Sequence, residues 1–262
     1  MGTITSVWRW RRLARELAKR EFRARYAGSV LGAAWAVLEP AVQFGLYLTV
    51  FSVFLGMRLE GKAGVGGFGL YLVAGLVPFL ALQESLQRAA SLARGQAGLV
   101  RHVNVPLEVL LAGTLGAVLA RHAVALAIVV LAAALSGALA LAQIPWLAAG
   151  AVVLVAVVWG LGLVLMTAGA FLPDVAQVVG TGTTVLFFLT PVVYPENVLP
   201  AAVVEWLPLN PAVGLVDLFR AGIAGGPVSV LRTSVTVATA LVALAAGAHV
   251  FARRGASVRD LV

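Results

Sequence analysis

The chain has 262 residues, of which 61% are hydrophobic and 11% are charged, and its formal net charge is +8. A soluble globular domain has about 25% charged residues, so this composition excludes a water-soluble protein and predicts an integral membrane protein, in agreement with the mean hydropathy of +0.99. The chain has no cysteine and only three scattered histidines, which excludes disulfides and gives no metal-ligand spacing, so no metal site is expected.

The first element in chain order is a basic amphipathic helix, predicted over residues 8–30. One face carries apolar residues: Trp10, Leu13, Leu17 and Ala24, with Ala14 beside them. The opposite face carries Arg12, Glu16, Lys19 and Arg23 at helical spacings. Such a helix lies in the headgroup plane with its cations toward anionic lipid. It is either a simple topology anchor or a rigid elbow on the apolar segment that follows Gly28.

Six stretches are long and apolar enough to cross a bilayer, which takes about 20 residues. They are residues 33–55, 70–92, 110–140, 145–172, 175–194 and 230–252. Only Pro173 and Asp174 separate the fourth from the fifth, which predicts a tight antiparallel hairpin. The predicted fold is therefore all-α and integral to the membrane, with one transmembrane domain over residues 1–262.

Lysine and arginine concentrate before the first span, between the second and third spans, and after the last span. The positive-inside rule places these segments, and both termini, in the cytoplasm. The positive charge is therefore a topology signal, and nucleic acid is not an expected partner. The apolar core of the first span is also longer than that of a cleaved signal peptide.

The segment 195–227 falls on the external side and is less apolar than the spans. Pro195, Pro200, Pro208 and Pro211 interrupt it, yet Trp206 and other large apolar residues make it too hydrophobic for a free loop. We therefore predict two short re-entrant helices in the outer leaflet, where non-helical backbone must be buried in protein or face water. Such an element could form an external gate.

Three ionisable residues fall inside predicted spans: Glu39, Glu84 and Arg121. Charges at membrane depth are costly and are functional candidates by default. One hypothesis pairs Arg121 with Glu84 or with Glu39. The alternative is that each residue separately snorkels or faces a polar lumen.

The segment KREFRARYAGSVLGAAWAVLEP (19–40) resembles the opening of permease subunits of ABC exporters for polysaccharides, which export O-antigen, teichoic acid or capsule. The matching residues are Arg20, Glu21, Arg25, Tyr26, Ser29, Val30, Leu31, Gly32 and Trp35. Further similarity follows in order at 71–79 (YLVAGLVPF), 100–110 (VRHVNVPLEVL), 174–194 (ending TPVVY) and 209–220 (LNPAVGLVDLFR). Two departures from the family pattern are Pro173, where arginine is common, and Glu39 before the proline of the first span.

The resemblance implies a permease that is not itself an enzyme and moves a lipid-linked polysaccharide across a bacterial inner or plasma membrane. It implies a homodimer with two copies of a separate ABC ATPase, which would hold ATP and Mg²⁺; no cofactor is expected in this chain. The sequence has no G-x-x-x-x-G-K-[ST] phosphate loop, and the glycines at 64–69 read as a flexible loop.

The ATPase would bind between the amphipathic helix and a cytoplasmic coupling loop over 94–106, although that loop could be a plain connector. The coupling candidates are Arg12, Glu16, Lys19, Arg20, Arg23, Arg25, Arg94, Arg101, His102 and Asn104. Aromatic side chains offer flat faces to sugars, and the candidates for the substrate path are Trp35, Phe44, Tyr47, Phe51, Phe187, Phe188 and Tyr194. The alternative for these rings is packing between helices or an interfacial belt.

Three other functions compete with this interpretation. An ABC exporter permease for a drug or a small lipid would share the architecture. A membrane enzyme would need clustered acidic or histidine residues at the interface, and the acidic residues here are dispersed. A purely structural membrane scaffold is the third.

Overall fold

The computed structural model describes residues 3–57, 64–96, 98 and 105–261, and the described part is helical without any strand. The α-helices are α1 (Thr3–Arg9), α2 (Arg11–Tyr26), α3 (Trp35–Leu48), α4 (Gly64–Gly95), α5 (Leu107–Leu135), α6 (Ile144–Phe171), α7 (Val175–Leu189), α8 (Ala201–Val204), α9 (Pro211–Ala224) and α10 (Val230–Leu261). A π-helical turn, Thr49–Phe54, extends α3.

Among the described residues, five segments are long and apolar enough to span a membrane: Gly32–Phe54, Gly67–Gly95, Leu107–Leu135, Leu141–Phe171 and Val230–Val258. A sixth is reached if Ala201–Leu209 and Pro211–Ala224, which meet at 86°, form one broken span. The all-α integral membrane fold is thus confirmed.

The fifth predicted span needs a correction, because α7 is only 15 residues long and ends at Leu189 instead of Tyr194. The cause is Pro191, which disfavours a helical conformation at the residue before it. Thr190 is accordingly extended, with φ −108° and ψ 128°. The remaining residues of the predicted span form a turn, and the segment that follows contains α8 and the buried helix α9.

Helix α6 lies at the centre of the bundle and packs most extensively against α10 and α4. Glycines allow this close approach: a Cβ at Gly160 would collide with the backbone of Ala243, and one at Gly169 with the carbonyl of Ala90. Small residues at helix crossings permit such backbone contact in membrane proteins. The long apolar helices are therefore held together by backbone proximity as well as by side chains.

Helix α2 packs along α5. Leu13, Ala14 and Leu17 face the bundle, and a Cβ at Gly113 of α5 would lie 2.8 Å from the Cβ of Leu17. Trp10 is 43% exposed and Ala24 is also exposed, so they do not belong to the packed face that the sequence predicted. The helix also starts and ends within the predicted limits of 8–30.

Residues 27–34, which we call the elbow, join α2 to α3 without a continuous helix. Gly28 and Gly32 have φ values of 80° and 48°, a left-handed conformation that favours glycine. The amide of Gly32 donates to the carbonyl and to the hydroxyl of Ser29 at 3.2 and 2.9 Å. The elbow is therefore a short hydrogen-bonded bend.

Candidate functional site

Six charged side chains from four helices meet where α2 joins the bundle, and we call them the central charge cluster. They are Glu21 and Arg25 of α2, Glu39 of α3, Glu84 and Arg88 of α4, and Arg121 of α5. Helix α2 brings its two members here because it packs along α5. The elbow then returns the chain so that α3 presents Glu39 to the same place.

Glu84 is the centre of the cluster. Its carboxylate contacts the guanidinium of Arg121, while Arg25 Nη1 and Arg88 Nε lie at 3.6 and 3.9 Å. The Glu84 side chain is 22% exposed and that of Arg121 is 15% exposed. Partial burial strengthens the attraction between opposite charges, since the effective dielectric constant is lower than in water.

The other two carboxylates have separate arginine partners. Arg25 donates to Glu39 at 2.9 Å, and Arg88 lies 3.6 Å from Glu21. Glu21 also accepts a hydrogen bond from the Thr114 hydroxyl of α5 at 2.9 Å. One hypothesis from the sequence pairs Arg121 with Glu84 or with Glu39. In the structure Glu84 contacts Arg121, whereas Glu39 pairs with Arg25.

These contacts connect α2 to three membrane helices at once. A displacement of α2 must move α3, α4 and α5 with it or break the hydrogen bonds of Glu39 with Arg25 and of Glu21 with Thr114. It would also separate the ion pairs that join α2 to Glu84 and Arg88 of α4. Hydrogen bonds to charged groups are stronger than neutral ones. The cluster can therefore transmit a mechanical force from the surface helix into the bundle.

The outer face of α2 remains open for a partner. The exposed coupling candidates of α2 include Arg12, Glu16, Lys19, Arg20 and Arg23. The side chain of Arg25 is 35% exposed and belongs to the central charge cluster. Lys19 donates to Glu16 at 2.8 Å, and this hydrogen bond lowers the pKa of the Glu16 carboxyl. The face is thus mainly cationic, with Glu16 as its single carboxylate, which suits contact with an acidic protein surface; its role in ATPase coupling stays a prediction.

The predicted coupling loop is described only at its edges. Arg94 belongs to the last turn of α4, where its guanidinium donates to the carbonyls of Gly169 and Ala170 at 2.8 and 3.2 Å. Its side chain thus satisfies carbonyls near the end of α6 and is engaged within the bundle. Arg101, His102 and Asn104 lie outside the described residues.

Most of the aromatic candidates gather in one place. Phe44, Tyr47, Phe51, Phe187 and Tyr194 pack against a buried cluster that contains Phe68 and Phe79, and the rings of Phe79 and Phe187 are 5.3 Å apart. Phe188 and Trp35 are 65% and 40% exposed. The sequence prediction missed Phe68 and Phe79. Whether these rings line a path stays a prediction.

A second ion-pair network, which the sequence prediction also missed, joins the segment after α7 to α9 and α10. Arg232 binds Glu196 through both terminal nitrogens, at 2.5 and 2.8 Å, and Asp217 at 3.1 Å. Arg220, only 3% exposed, donates to the carbonyls of Pro191 and Val192 at 2.7 and 2.9 Å. Ionisable residues in an apolar stretch were the available signal, because each must find a partner.

No cluster of three His, Cys, Asp or Glu residues able to hold a metal ion occurs within the ranges that the structure covers. The contacts observed in both networks are ion pairs and hydrogen bonds. Such groups can bind, orient and transmit force.

Comparison with known proteins decides which family has this arrangement. The model of the ABC-2 type transporter family matches residues 12–224, from the beginning of α2 to the end of α9. The chain belongs to the ABC-2 type transporter family. It is a multi-pass membrane protein, and membership of this family implies an ABC ATPase as its partner.

Similar curated proteins include the O-antigen export system permease protein RfbA of Myxococcus xanthus, 27% identical over 83% of this chain and 82% of the relative. The polysialic acid transport protein KpsM of Escherichia coli is 24% identical over 80% of both chains. The RfbA permease of Klebsiella pneumoniae is 20% identical over 90% of this chain and 89% of that protein. The similarity thus extends over most of the length of each protein.

Proposed function

We propose that this chain is the membrane-spanning subunit of an ATP-driven exporter that moves lipid-linked polysaccharide out of the cytoplasm. The observation that supports this most is the similarity, over 80–90% of the chain, to permeases named for O-antigen and polysialic acid. The same names favour a polysaccharide over a drug or a small lipid as cargo.

In this proposal, two copies of the chain and two ABC ATPases form the transporter in a bacterial inner or plasma membrane, with both termini in the cytoplasm. ATP and Mg²⁺ are held by the ATPase subunits. The exposed charged face of α2 binds the ATPase. The central charge cluster then transmits the movement of α2 that ATP hydrolysis drives to α3, α4 and α5.

The second ion-pair network has a role on the predicted external side. Helix α9 and the turn after α7 are fastened by Arg220 and by the Arg232 pairs with Glu196 and Asp217. In the proposed topology, this network closes the external side between transport events. Opening requires these ion pairs to separate or to move as one unit with α9.

The test is transport by the purified complex of this chain with its ATPase in sealed vesicles. Export of a lipid-linked glycan should require ATP, and the same glycan should stimulate ATP hydrolysis whereas drugs and short-chain lipids should not. If drugs stimulate hydrolysis and glycans do not, the cargo assignment is overturned. If export proceeds without any ATPase subunit, the exporter assignment is overturned.

A further inference from the structure

A cavity of about 540 Å³ adjoins the central charge cluster and opens between α3, α4 and α5. Its lining is unusual for membrane depth, because it contains three glutamine side chains, Gln43, Gln83 and Gln87, in addition to charged groups. Polar groups in spans are costly and mark substrate pathways. The volume lies in the ordinary range for small-molecule sites.

The charges around this cavity are balanced within the protein. The lining itself contains three arginines, Arg25, Arg88 and Arg121, and two carboxylates, Glu39 and Glu84. The third carboxylate is that of Glu21, which lies outside the lining and 3.6 Å from Arg88. With His122 counted as neutral, the formal sum of the described groups is zero. An anionic ligand would therefore have to displace an existing carboxylate or add uncompensated negative charge.

The spans that continue from the cavity toward the predicted external side carry no charged residue at all. Asp, Glu, Lys and Arg are absent from residues 43–54, from 64–83 and from α7 (Val175–Leu189). The external arginines described above are occupied: Arg220 by backbone carbonyls and Arg232 by two carboxylates. Within these three stretches a polyanion would have no cation to accompany it, and unpaired charge in such surroundings raises the free energy.

The glutamine amides suit a different ligand. Gln83 and Gln87 each donate one hydrogen bond to the Thr183 hydroxyl of α7, at 3.4 and 3.3 Å. Among the described residues, each of these two amides keeps a second N–H group and its carbonyl oxygen free. The Gln43 side chain makes no hydrogen bond with a described residue. A neighbouring donor and acceptor match a sugar hydroxyl, which both donates and accepts, whereas an oxyanion only accepts.

We propose that this cavity binds uncharged sugar units through Gln43, Gln83 and Gln87, so that the cargo is a neutral polysaccharide and not an acidic one. This inference rests on the proposed function and narrows its substrate class. The relatives are named for two cargoes, O-antigen and polysialic acid. The inference excludes a cargo of the second kind for this chain, because polysialic acid carries a carboxylate on every sugar.

The test uses the reconstituted complex with its ATPase and two probes on the same lipid carrier, a neutral hexose oligosaccharide and an oligosialic acid of equal length. The neutral probe should be exported at least about tenfold faster, as expected for an unpaired charge that raises the barrier. Equal rates would overturn the neutral-cargo inference and leave the proposed function standing. Export of neither probe would instead overturn the proposed function, and this inference with it.

Variants test the glutamines separately. Gln83→Leu and Gln87→Leu should each slow export of the neutral probe about fivefold to tenfold, the loss of one or two hydrogen bonds. Gln83→Arg should raise export of the acidic probe. The matched control is Gln143→Leu, which removes an amide outside the cavity and should leave the rate unchanged. Unchanged neutral export by Gln83→Leu and Gln87→Leu would overturn the assignment of these residues.

Discussion

Glu84 faces three guanidinium groups, and one carboxylate cannot fully neutralise three cations. Its nearest partner is Arg121, while Arg25 and Arg88 have their own carboxylates, Glu39 and Glu21. Removal of the Glu84 charge would therefore leave Arg121 without its acidic partner. It would also place three arginines close together with only two carboxylates.

We expect Glu84→Gln to destabilise the solubilised complex by about 2 kcal/mol, less than the 3–5 kcal/mol typical of a broken buried pair because these side chains are partly exposed. Thermal unfolding in detergent measures this, and export should fall with it.

The exchanged double variant Glu84→Arg/Arg121→Glu should recover only part of the loss, since the new arginine faces Arg25 and Arg88. Complete recovery would mean that Arg121 and Glu84 form an isolated pair. No recovery relative to either single variant would mean that they are not coupled.

At the scale of the elements, the elbow determines how α2 moves α3. Its two left-handed glycines and the Ser29 hydrogen bonds make a bend of defined shape. A bend of this kind transmits displacement, whereas a freely rotating linker would absorb it.

Insertion of three glycines after Ala27 should leave membrane insertion and ATPase binding intact and should reduce export per ATP hydrolysed. The ratio of export to hydrolysis in vesicles measures this coupling. The same insertion after Gly137, in the turn between α5 and α6, is the control and should preserve the ratio. If the elbow insertion leaves the ratio of export to hydrolysis unchanged, α2 serves only as a topology anchor.

The crossing of α6 with α10 depends on Gly160. We expect Gly160→Val to lower the stability of the fold by about 1–3 kcal/mol, the usual cost of overpacking, because the added atoms collide with backbone at Ala243. Gly45→Val is the matched control, since no atom lies within 4 Å of a Cβ there. Equal melting temperatures for the two variants would contradict the close crossing.

Much of the helical framework could be predicted because α4, α5, α6 and α10 are long apolar runs. The early end of α7 was also readable in principle, since Pro191 restricts Thr190. The external network was not, because Glu196 and Arg232 are 36 residues apart and no local pattern pairs them. The buried face of α2 was predicted only in part, as periodicity identifies an apolar stripe but not the groove at Gly113 that selects Leu17 over Trp10.

At the scale of the whole molecule, the charge distribution predicts which side each end occupies. The chain has no cysteine, so single cysteines report accessibility without background. Ser6→Cys and Ser257→Cys should react with an impermeant thiol reagent only after the membrane is opened. Ala138→Cys and Glu205→Cys should react from outside in intact cells; the reverse pattern would overturn the proposed orientation.

The shortness of α7 has a consequence for the surrounding lipid. Fifteen residues span about 22 Å at 1.5 Å each, against a hydrocarbon thickness of about 30 Å. With α7 placed across the bilayer, as in the proposed topology, we expect the exposed Phe188 and Leu189 to end several ångströms inside one leaflet and the bilayer to thin beside them. Export should consequently be faster in vesicles of short-chain lipids than in thick ones, and a rate independent of acyl length would contradict this. Such a thinned rim would shorten the distance that the carrier's headgroup has to cross.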